Sequence, residues 1–216
     1  MALETSSVSE QRLLLDSVSW EDYSRLLRAL ADRRIRLTYD RGTLEIMTPT
    51  PEHERFKHLL RRLIDVLTEE LKLKSAGFGS MTCRRRKRRR GLEPDECYYI
   101  ANQHLVRQFD HIDLRRDPPP DLALEIDVTN SSLDRLPIYA SLGVAEVWRY
   151  ESQVMTFHVL DASGKYQIAS ESQSFPGLNP ADLGTFITMR KQLEDDNAVI
   201  GQFRDWVRQK LVARGG

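Results

Sequence analysis

The chain has 216 residues, and its 32 lysine and arginine residues balance 32 aspartate and glutamate residues. This zero net charge excludes a uniform field that would attract a polyanion, and the 40% hydrophobic content is typical of a soluble globular protein. Two cysteines exclude a disulfide framework or a cysteine-based zinc site, and no segment has the length of a membrane span, so we expect a cytoplasmic protein.

Hydrophobic periodicity divides the chain into helices and strands. Residues 1–18 are expected to form a flexible N-terminal arm, and residues 19–216 a single domain that ends in a helix over 194–214. The other predicted elements are, in chain order, a helix capped by Ser19, a hairpin over 34–47, a long helix after Pro51, strands within 81–86, 91–100 and 121–128, a short helix over 133–142 that Gly143 ends, and strands over 144–150, 155–160 and 165–169. Residues 129–132 indicate a turn and cap, and residues 175–183 indicate a loop.

Two acidic clusters are the sequence feature most indicative of function: Asp95, which follows a proline, and the pair Glu125 and Asp127. Side chains alternate along the strand 121–128, so Glu125 and Asp127 share one face with Ala123, while the other face is apolar. Two carboxylates on one face of a buried strand are costly unless a cation compensates their charge, and hard oxygen ligands suit Mg²⁺. The residues alone leave open a second interpretation, in which both carboxylates line the solvent-exposed face of an edge strand.

A run of seven consecutive cations, Arg84–Arg90, precedes the first acidic cluster. Like charges repel one another, so one interpretation of the run is a solvated loop or strand extension. The other is contact with the phosphate backbone of DNA, because clustered arginines bind nucleic acid without base specificity. We favour the second interpretation, since the run ends shortly before Asp95.

Four motifs follow one another along the chain: Pro51-Glu-His53, Gly91-Leu-Glu-Pro-Asp-Glu-Cys-Tyr-Tyr-Ile100, Pro120-Asp-Leu-Ala-Leu-Glu-Ile-Asp-Val128 and Ile138-Tyr-Ala-Ser-Leu-Gly-Val-Ala-Glu-Val-Trp148. Together they span roughly residues 40–170. In this order they resemble the Uma2-type endonucleases of the PD-(D/E)XK nuclease superfamily. The resemblance implies a restriction-endonuclease-like α/β fold, in which a central mixed β-sheet is flanked by helices.

The resemblance also implies an activity, namely a bacterial endonuclease that hydrolyses DNA phosphodiester bonds with Mg²⁺ or Mn²⁺. Asp95 and Glu125 would bind the metal, the backbone carbonyl of Ile126 would complete its ligand shell, and Asp127 is a further candidate ligand. His53 matches a histidine at the start of the first helix of such proteins. Members of the superfamily often form homodimers to cut two strands, so we expect a homodimer as one possible assembly.

The chain departs from the superfamily pattern at Asp127, which occupies the position of the motif's lysine. In Uma2-like proteins the lysine commonly comes from the following helix, and that position is Arg135 here. Arginine binds phosphate through two N–H groups but does not lose its proton, so Arg135 is expected to stabilise charge rather than act as a base. Two hypotheses follow: an active DNA endonuclease, or a catalytically inactive nuclease-fold protein that acts as a DNA-binding or regulatory module.

Overall fold

The computed structural model describes residues 10–127, 133–193 and 195–213. Its strands are β1 (Gln11–Leu15), β2 (Arg36–Asp40), β3 (Thr43–Thr48), β4 (Ala76–Gly77), β5 (Cys83–Arg85), β6 (Arg90–Leu92), β7 (Glu96–Tyr99), β8 (Leu122–Asp127), β9 (Glu146–Glu151), β10 (Val154–Leu160) and β11 (Tyr166–Ala169). Its helices are α1 (Trp20–Ala29), α2 (Pro51–Glu70), α3 (Gln103–Val106), α4 (Leu136–Leu142), α5 (Pro180–Met189) and α6 (Asp196–Val207). In the described ranges no helix is long and apolar enough to cross a membrane.

The strands are divided between two sheets. The first sheet has the order β1-β3-β2-β6-β5 and is antiparallel throughout. The second has the order β11-β10-β9-β8-β7-β4, in which β8 and β9 are parallel and the other neighbours are antiparallel. The parallel pair requires a crossover connection, and α4 lies in it. This mixed α/β arrangement with flanking helices confirms the predicted fold class, with two sheets instead of one.

Helix α2 organises the main hydrophobic core. It begins where the sequence predicts, because the Thr50 hydroxyl accepts a hydrogen bond from the His53 N–H (3.2 Å) and Pro51 occupies the first turn. Its apolar stripe packs with β8 and α6 in one buried cluster, whose members include Leu59, Leu63, Leu124 and Phe203. Burial of each such side chain contributes roughly 1.5–3 kcal/mol, so the start of α2 is firmly held.

Strand β8 lies inside the second sheet between β7 and β9, and all six of its residues are buried. The residues of its apolar face belong to the main core: Leu122, Leu124 and Ile126. Ala123, on the other face, packs in a second cluster with Tyr139 of α4. The predicted alternation is therefore confirmed, and Glu125 and Asp127 are buried on the same side as Ala123. Their interpretation as the solvent-exposed face of an edge strand is wrong.

The predicted flexible arm over residues 1–18 is wrong for Gln11–Leu15, which form β1. This strand pairs antiparallel with β3 along five residues. Its leucines stay 37–54% exposed, so apolar burial does not hold it. Backbone hydrogen bonds to β3 and buried ion pairs of Arg12 provide the attachment, and neither leaves a hydrophobic pattern in the sequence. Residues 1–9 lie outside the described ranges.

The motif Gly91–Ile100 contributes to two strands in different sheets, β6 and β7, and not to one. Asp95 lies in the connection between them, one residue before β7. Its backbone N–H donates to the Leu124 carbonyl (3.1 Å), which joins the connection to β8. Asp95 is therefore buried at the point where the chain passes from the first sheet to the second.

The C-terminal part differs from prediction at α5. A loop is predicted over residues 175–183, yet α5 begins at Pro180 because Asn179 and Asp182 cap each other's backbone N–H groups. The last predicted helix, over 194–214, is observed as α6 followed by a π-helical turn at Arg208–Val212. Residues 194 and 214, like the predicted turn over 129–132, lie outside the described ranges.

Candidate active site

The predicted acidic and basic site residues come from four places in the fold. His53 lies in the first turn of α2, Asp95 directly precedes β7, and Arg135 directly precedes α4. Glu125 and Asp127 lie on β8. All five are at most 6% exposed. The fold thus brings together residues that are up to 82 positions apart in the sequence (His53 to Arg135) into one buried cluster.

His53 bridges two carboxylates. Its Nε2–H donates to Asp95 Oδ1 and its Nδ1–H donates to Glu10 Oε1, each at 2.7 Å. Burial disfavours the charged imidazolium, but the hydrogen bonds to the two carboxylates outweigh it and raise the pKa of His53 to about 10. His53 is therefore a cation at neutral pH, and both of its ring nitrogens are donors.

Asp95 is held as a carboxylate on both of its oxygens. Burial works against its ionisation, but the hydrogen bond from His53 and the charges of His53 and Arg135 lower the pKa of Asp95 below its usual value. The second oxygen, Oδ2, accepts the backbone N–H of Ile126 (2.8 Å). This hydrogen bond holds the Asp95 side chain against β8, at the residue next in sequence to Glu125.

Glu125 accepts hydrogen bonds from the Arg135 guanidinium and the Tyr139 hydroxyl. Arg135 Nη1 donates to Glu125 Oε2 (2.5 Å), and the Tyr139 hydroxyl donates to Oε1. Burial raises the pKa of Glu125 to about 7, although the charge of Arg135 acts in the opposite direction. Asp95 and Asp127 add to the rise, so the charge of Glu125 is incompletely compensated by the protein.

Asp127 is compensated by two arginines from other strands. Arg12 Nη2 of β1 donates to Oδ1 (3.0 Å), and Arg149 Nε of β9 donates to Oδ2 (3.1 Å). Arg12 also contacts Glu45 (3.2 Å), and Arg135 contacts the same Glu45 oxygen (3.2 Å). Two guanidinium groups therefore flank Glu45, and Asp127 is an ion-pair partner in this network.

The network contains several buried carboxylates: Glu10, Glu45, Asp95, Glu125 and Asp127. In the described part of the chain, the cations that contact them include Arg12, His53, Arg135 and Arg149. Buried charges are costly unless they are paired, so a site this rich in carboxylates favours cations.

The donor set fits a hard divalent cation in its chemistry. Asp95 and Glu125 offer carboxylate oxygens, which are the hard ligands that Mg²⁺ prefers in proteins. Within the described ranges, no group of three histidine, cysteine, aspartate or glutamate side chains is arranged to hold a metal. Mg²⁺ usually keeps several waters and takes one or two carboxylates, so Asp95 and Glu125 would suffice as side-chain ligands.

Five members of the network were not among the predicted site residues: Glu10, Arg12, Glu45, Tyr139 and Arg149. Glu45 alternates with Leu44 and Ile46, a pattern that predicts a solvent-exposed side chain, yet it is fully buried. Tyr139 stands four residues after Arg135, and this helical spacing is the one local signal that could have joined it to the site. The others come from strand pairing, which local sequence does not encode.

The basic run Arg84–Arg90 forms the hairpin of β5 and β6 with a 3₁₀ turn at Arg86–Arg88. Its contacts go to α1, β2 and the carbonyl of Pro137 in α4, and they include Arg86 with Glu21 (2.6 Å) and Arg90 with Asp40 (2.8 Å). Most of its side chains are exposed. The run is therefore a surface hairpin, and the acidic cluster is a separate buried group.

Comparisons with known proteins agree with the motifs. A family model described as "Uma2: Putative restriction endonuclease" matches residues 20–189. A solved structure of "a putative nuclease belonging to DUF820" from Anabaena variabilis ATCC 29413 is similar, at 11% identity and a TM-score of 0.43, over 77% of this chain and 90% of that one. None of the curated proteins matches the chain. The matched range includes His53, Asp95, Glu125 and Arg135, whereas β1 with its Arg12 lies before it.

Proposed function

The chain belongs to the Uma2 family of "Putative restriction endonuclease" proteins, and on that premise we propose that it is a metal-dependent endonuclease that hydrolyses DNA phosphodiester bonds. The observation that carries the proposal is the pairing of Asp95 with β8. Its carboxylate accepts the N–H of Ile126, the residue after Glu125, in a buried cluster that is rich in carboxylates. This arrangement supports a site for a hard divalent cation.

The metal would be held by the carboxylates of Asp95 and Glu125. When bound, Mg²⁺ or Mn²⁺ would lower the pKa of a water molecule and stabilise negative charge on the phosphate. His53 positions Asp95, because its protonated ring keeps that carboxylate ionised and fixed. Ile126 contributes its N–H to Asp95, and its carbonyl remains a proposed ligand.

Arg135 would stabilise the charge of the substrate. A guanidinium stays protonated at any pH of interest, so Arg135 cannot be the general base. Its Nη atoms contact Glu125 and Glu45, and in the described part of the chain its buried Nε has no hydrogen-bond partner. The tie to Glu125 keeps the guanidinium at the proposed metal site, where its charge would stabilise a phosphate.

The exposed hairpin of the run Arg84–Arg90 would hold the DNA backbone. Lys87, Arg88 and Arg89 are exposed at its tip, and clustered cations bind phosphates through release of counterions. DNA with two strands to be cut would favour a homodimer, with one active site for each strand.

Cleavage of supercoiled plasmid tests the proposal. The wild-type protein should relax or linearise plasmid with Mg²⁺ or Mn²⁺ and lose this activity with a chelator. Asp95→Asn and Glu125→Gln keep side-chain shape and should each reduce the rate by about 100-fold or more, as loss of a metal ligand does. The matched control is Glu69→Gln on the exposed face of α2, which should cut normally. Circular dichroism melts establish that each variant is folded.

A DNA-binding or regulatory module without hydrolysis is the second candidate. The observation that favours it is the occupation of both Glu125 oxygens by Arg135 and Tyr139, together with a raised Glu125 pKa that weakens it as a metal ligand. This function would give DNA binding that is unaffected by a chelator and no cut plasmid under any metal condition. Cutting by wild type that Glu125→Gln abolishes would contradict it.

A further inference from the structure

The surface of the first sheet carries a groove of about 740 Å³ that no part of the acidic site touches. Its walls are α1, the hairpin of β5 and β6, and the segment 112–115. Five arginines from these three segments line it: Arg25, Arg28, Arg84, Arg86 and Arg115. Two of the five, Arg84 and Arg86, belong to the seven-residue run. The fold brings the other three to the same groove from distant parts of the sequence.

The groove is positively charged. Two acidic residues, Glu21 and Asp113, oppose the five arginines, which leaves a net charge of three positive units. Arg86 pairs with Glu21 and Arg115 with Asp113, but the arginine side chains are 74% and 79% exposed. Ion pairs this exposed contribute little, so their guanidinium groups can turn to a phosphate at small cost.

The hairpin presents its cations on two sides. Arg84 and Arg86 line the groove next to α1, whereas Arg88 and Arg90 line a second depression next to α4. Lys165 adds a further cation to that depression. Arg90 also donates to the Pro137 carbonyl, two residues beyond Arg135 (3.0 Å). Cations of the hairpin therefore line both the α1 groove and the depression next to α4, which one carboxylate, Asp134, also lines.

We propose that the α1 groove binds phosphates of the DNA backbone and that the hairpin leads the same backbone towards Arg135. Guanidinium groups bind phosphate oxygens through paired N–H donors, and contact without base readout needs no further polar groups. The inference deepens the proposed function and rests on it for the identity of the ligand as DNA. It assigns a binding role to Arg25, Arg28 and Arg115, which the basic run does not include.

Binding of a fluorescent DNA duplex, measured by anisotropy with a chelator present, tests the groove without cleavage. The double variant Arg25→Glu, Arg28→Glu should weaken binding by about tenfold or more and reduce the slope of log affinity against log salt by about two. The control is Lys72→Glu, Lys74→Glu, which changes the charge equally at exposed positions after α2 and should bind within about twofold of wild type. Both positions of the test variant are exposed on α1, so the fold is expected to survive.

The outcomes separate this inference from the proposed nuclease. If the α1 variant binds and cuts DNA like wild type, the groove proposal is overturned while the nuclease stands. If wild type binds DNA through α1 but never cuts it, the groove stands and the nuclease fails. An RNA duplex of the same sequence serves as a third arm. Tighter binding to RNA than to DNA by about tenfold would overturn DNA as the ligand.

Discussion

Arg135 is a buried cation that contacts two carboxylates of the site. It is buried against Glu125 and Glu45, so its removal leaves two carboxylates short of a cation. We expect Arg135→Ala to lower the free energy of unfolding by about 3–5 kcal/mol, as loss of one partner of a buried ion pair does. Urea unfolding without metal measures it.

A paired substitution provides the control for Arg135. Glu125→Gln combined with Arg135→Met removes both charges of the pair, and buried pairs replaced in this way are often neutral in stability. The double variant should therefore be more stable than Arg135→Ala alone. Equal destabilisation of the two would mean that Arg135 acts through packing and not through charge.

The raised pKa of His53 predicts how the free energy of unfolding changes with pH. Its pKa in the folded protein, about 10, lies above the ordinary value of 6.5, so the folded state binds a proton more tightly than the unfolded chain. The resulting stabilisation is complete below about pH 6.5 and is lost as pH rises through about 10, by up to about 1.4 kcal/mol per pH unit. The unfolding free energy should decline between about pH 7 and 8.5, below the range in which unfolded thiols ionise.

His53→Gln tests the assignment of that decline. The amide cannot take up the proton, so the variant should be less stable at pH 7 and should lose much less stability across the same interval, where only the end of the Glu125 titration contributes. Burial raises the pKa of Cys97 to about 12, so any effect of the thiols begins only near the ordinary thiol pKa. An equally steep decline in the variant would contradict the protonated state of His53.

At the scale of elements, β1 is the part of the site that lies before the family match. Arg12 reaches Glu45 and Asp127 from it, and Glu10 reaches His53. We expect Arg12→Met to destabilise the protein by about 3 kcal/mol or more, because three buried carboxylates, Glu10, Glu45 and Asp127, each lose an ion-pair partner. It should also release β1, whose leucines contribute little burial, and limited proteolysis would then cut within residues 9–18.

Arg25→Met is the matched control for Arg12→Met. Arg25 forms one ion pair with Asp22, and its side chain is 73% exposed, so its removal should cost less than about 0.5 kcal/mol. Proteolysis of β1 should be unchanged in this control. A rate of β1 cleavage in Arg12→Met equal to that of wild type would show that the backbone pairing with β3 alone holds the strand.

The elements that could be predicted are those whose signals are local. Helix α2 follows from its leucine spacing, the cap at Ser19 is observed, and Gly143 ends α4 with a φ of 86° that favours glycine. Strand β8 follows from its alternation. By contrast, β1 has no buried apolar face, and the start of α5 is set by a capping box that lies within the segment predicted as a loop. Pairing between distant strands decides both β1 and the buried position of Glu45.

The site residues divide in the same way. Asp95, Glu125, His53 and Arg135 could be named from motifs, and the fold brings them into one network. Asp127 differs from its expected place as a candidate metal ligand, because its carboxylate pairs with Arg12 and Arg149. The cations that balance it come from β1 and β9. These strands lie near β8 only in the folded chain, so no residue spacing in the sequence indicates that Arg12 and Arg149 pair with Asp127.

At the scale of the whole molecule, a zero net charge coexists with strong segregation of charge. The buried network is rich in carboxylates, and the hairpin and the α1 groove expose a cluster of arginines. Affinity for DNA should therefore fall steeply with salt, whereas the buried ion pairs should respond weakly, because buried charges are poorly screened. Parallel salt series of DNA binding and of thermal unfolding would check this contrast, and equal sensitivity of the two would contradict it.

The two sheets meet at the connection that carries Asp95, the carboxylate that we propose shares a metal ion with Glu125. A crystal structure with Mn²⁺ and a short DNA duplex, collected for anomalous scattering, tests this sharing most directly. We expect one anomalous peak about 2.1 Å from an oxygen of Asp95 and from an oxygen of Glu125, with the DNA backbone along the hairpin. An empty site, with Arg135 and Tyr139 still on both Glu125 oxygens while the same protein cuts DNA, would contradict it.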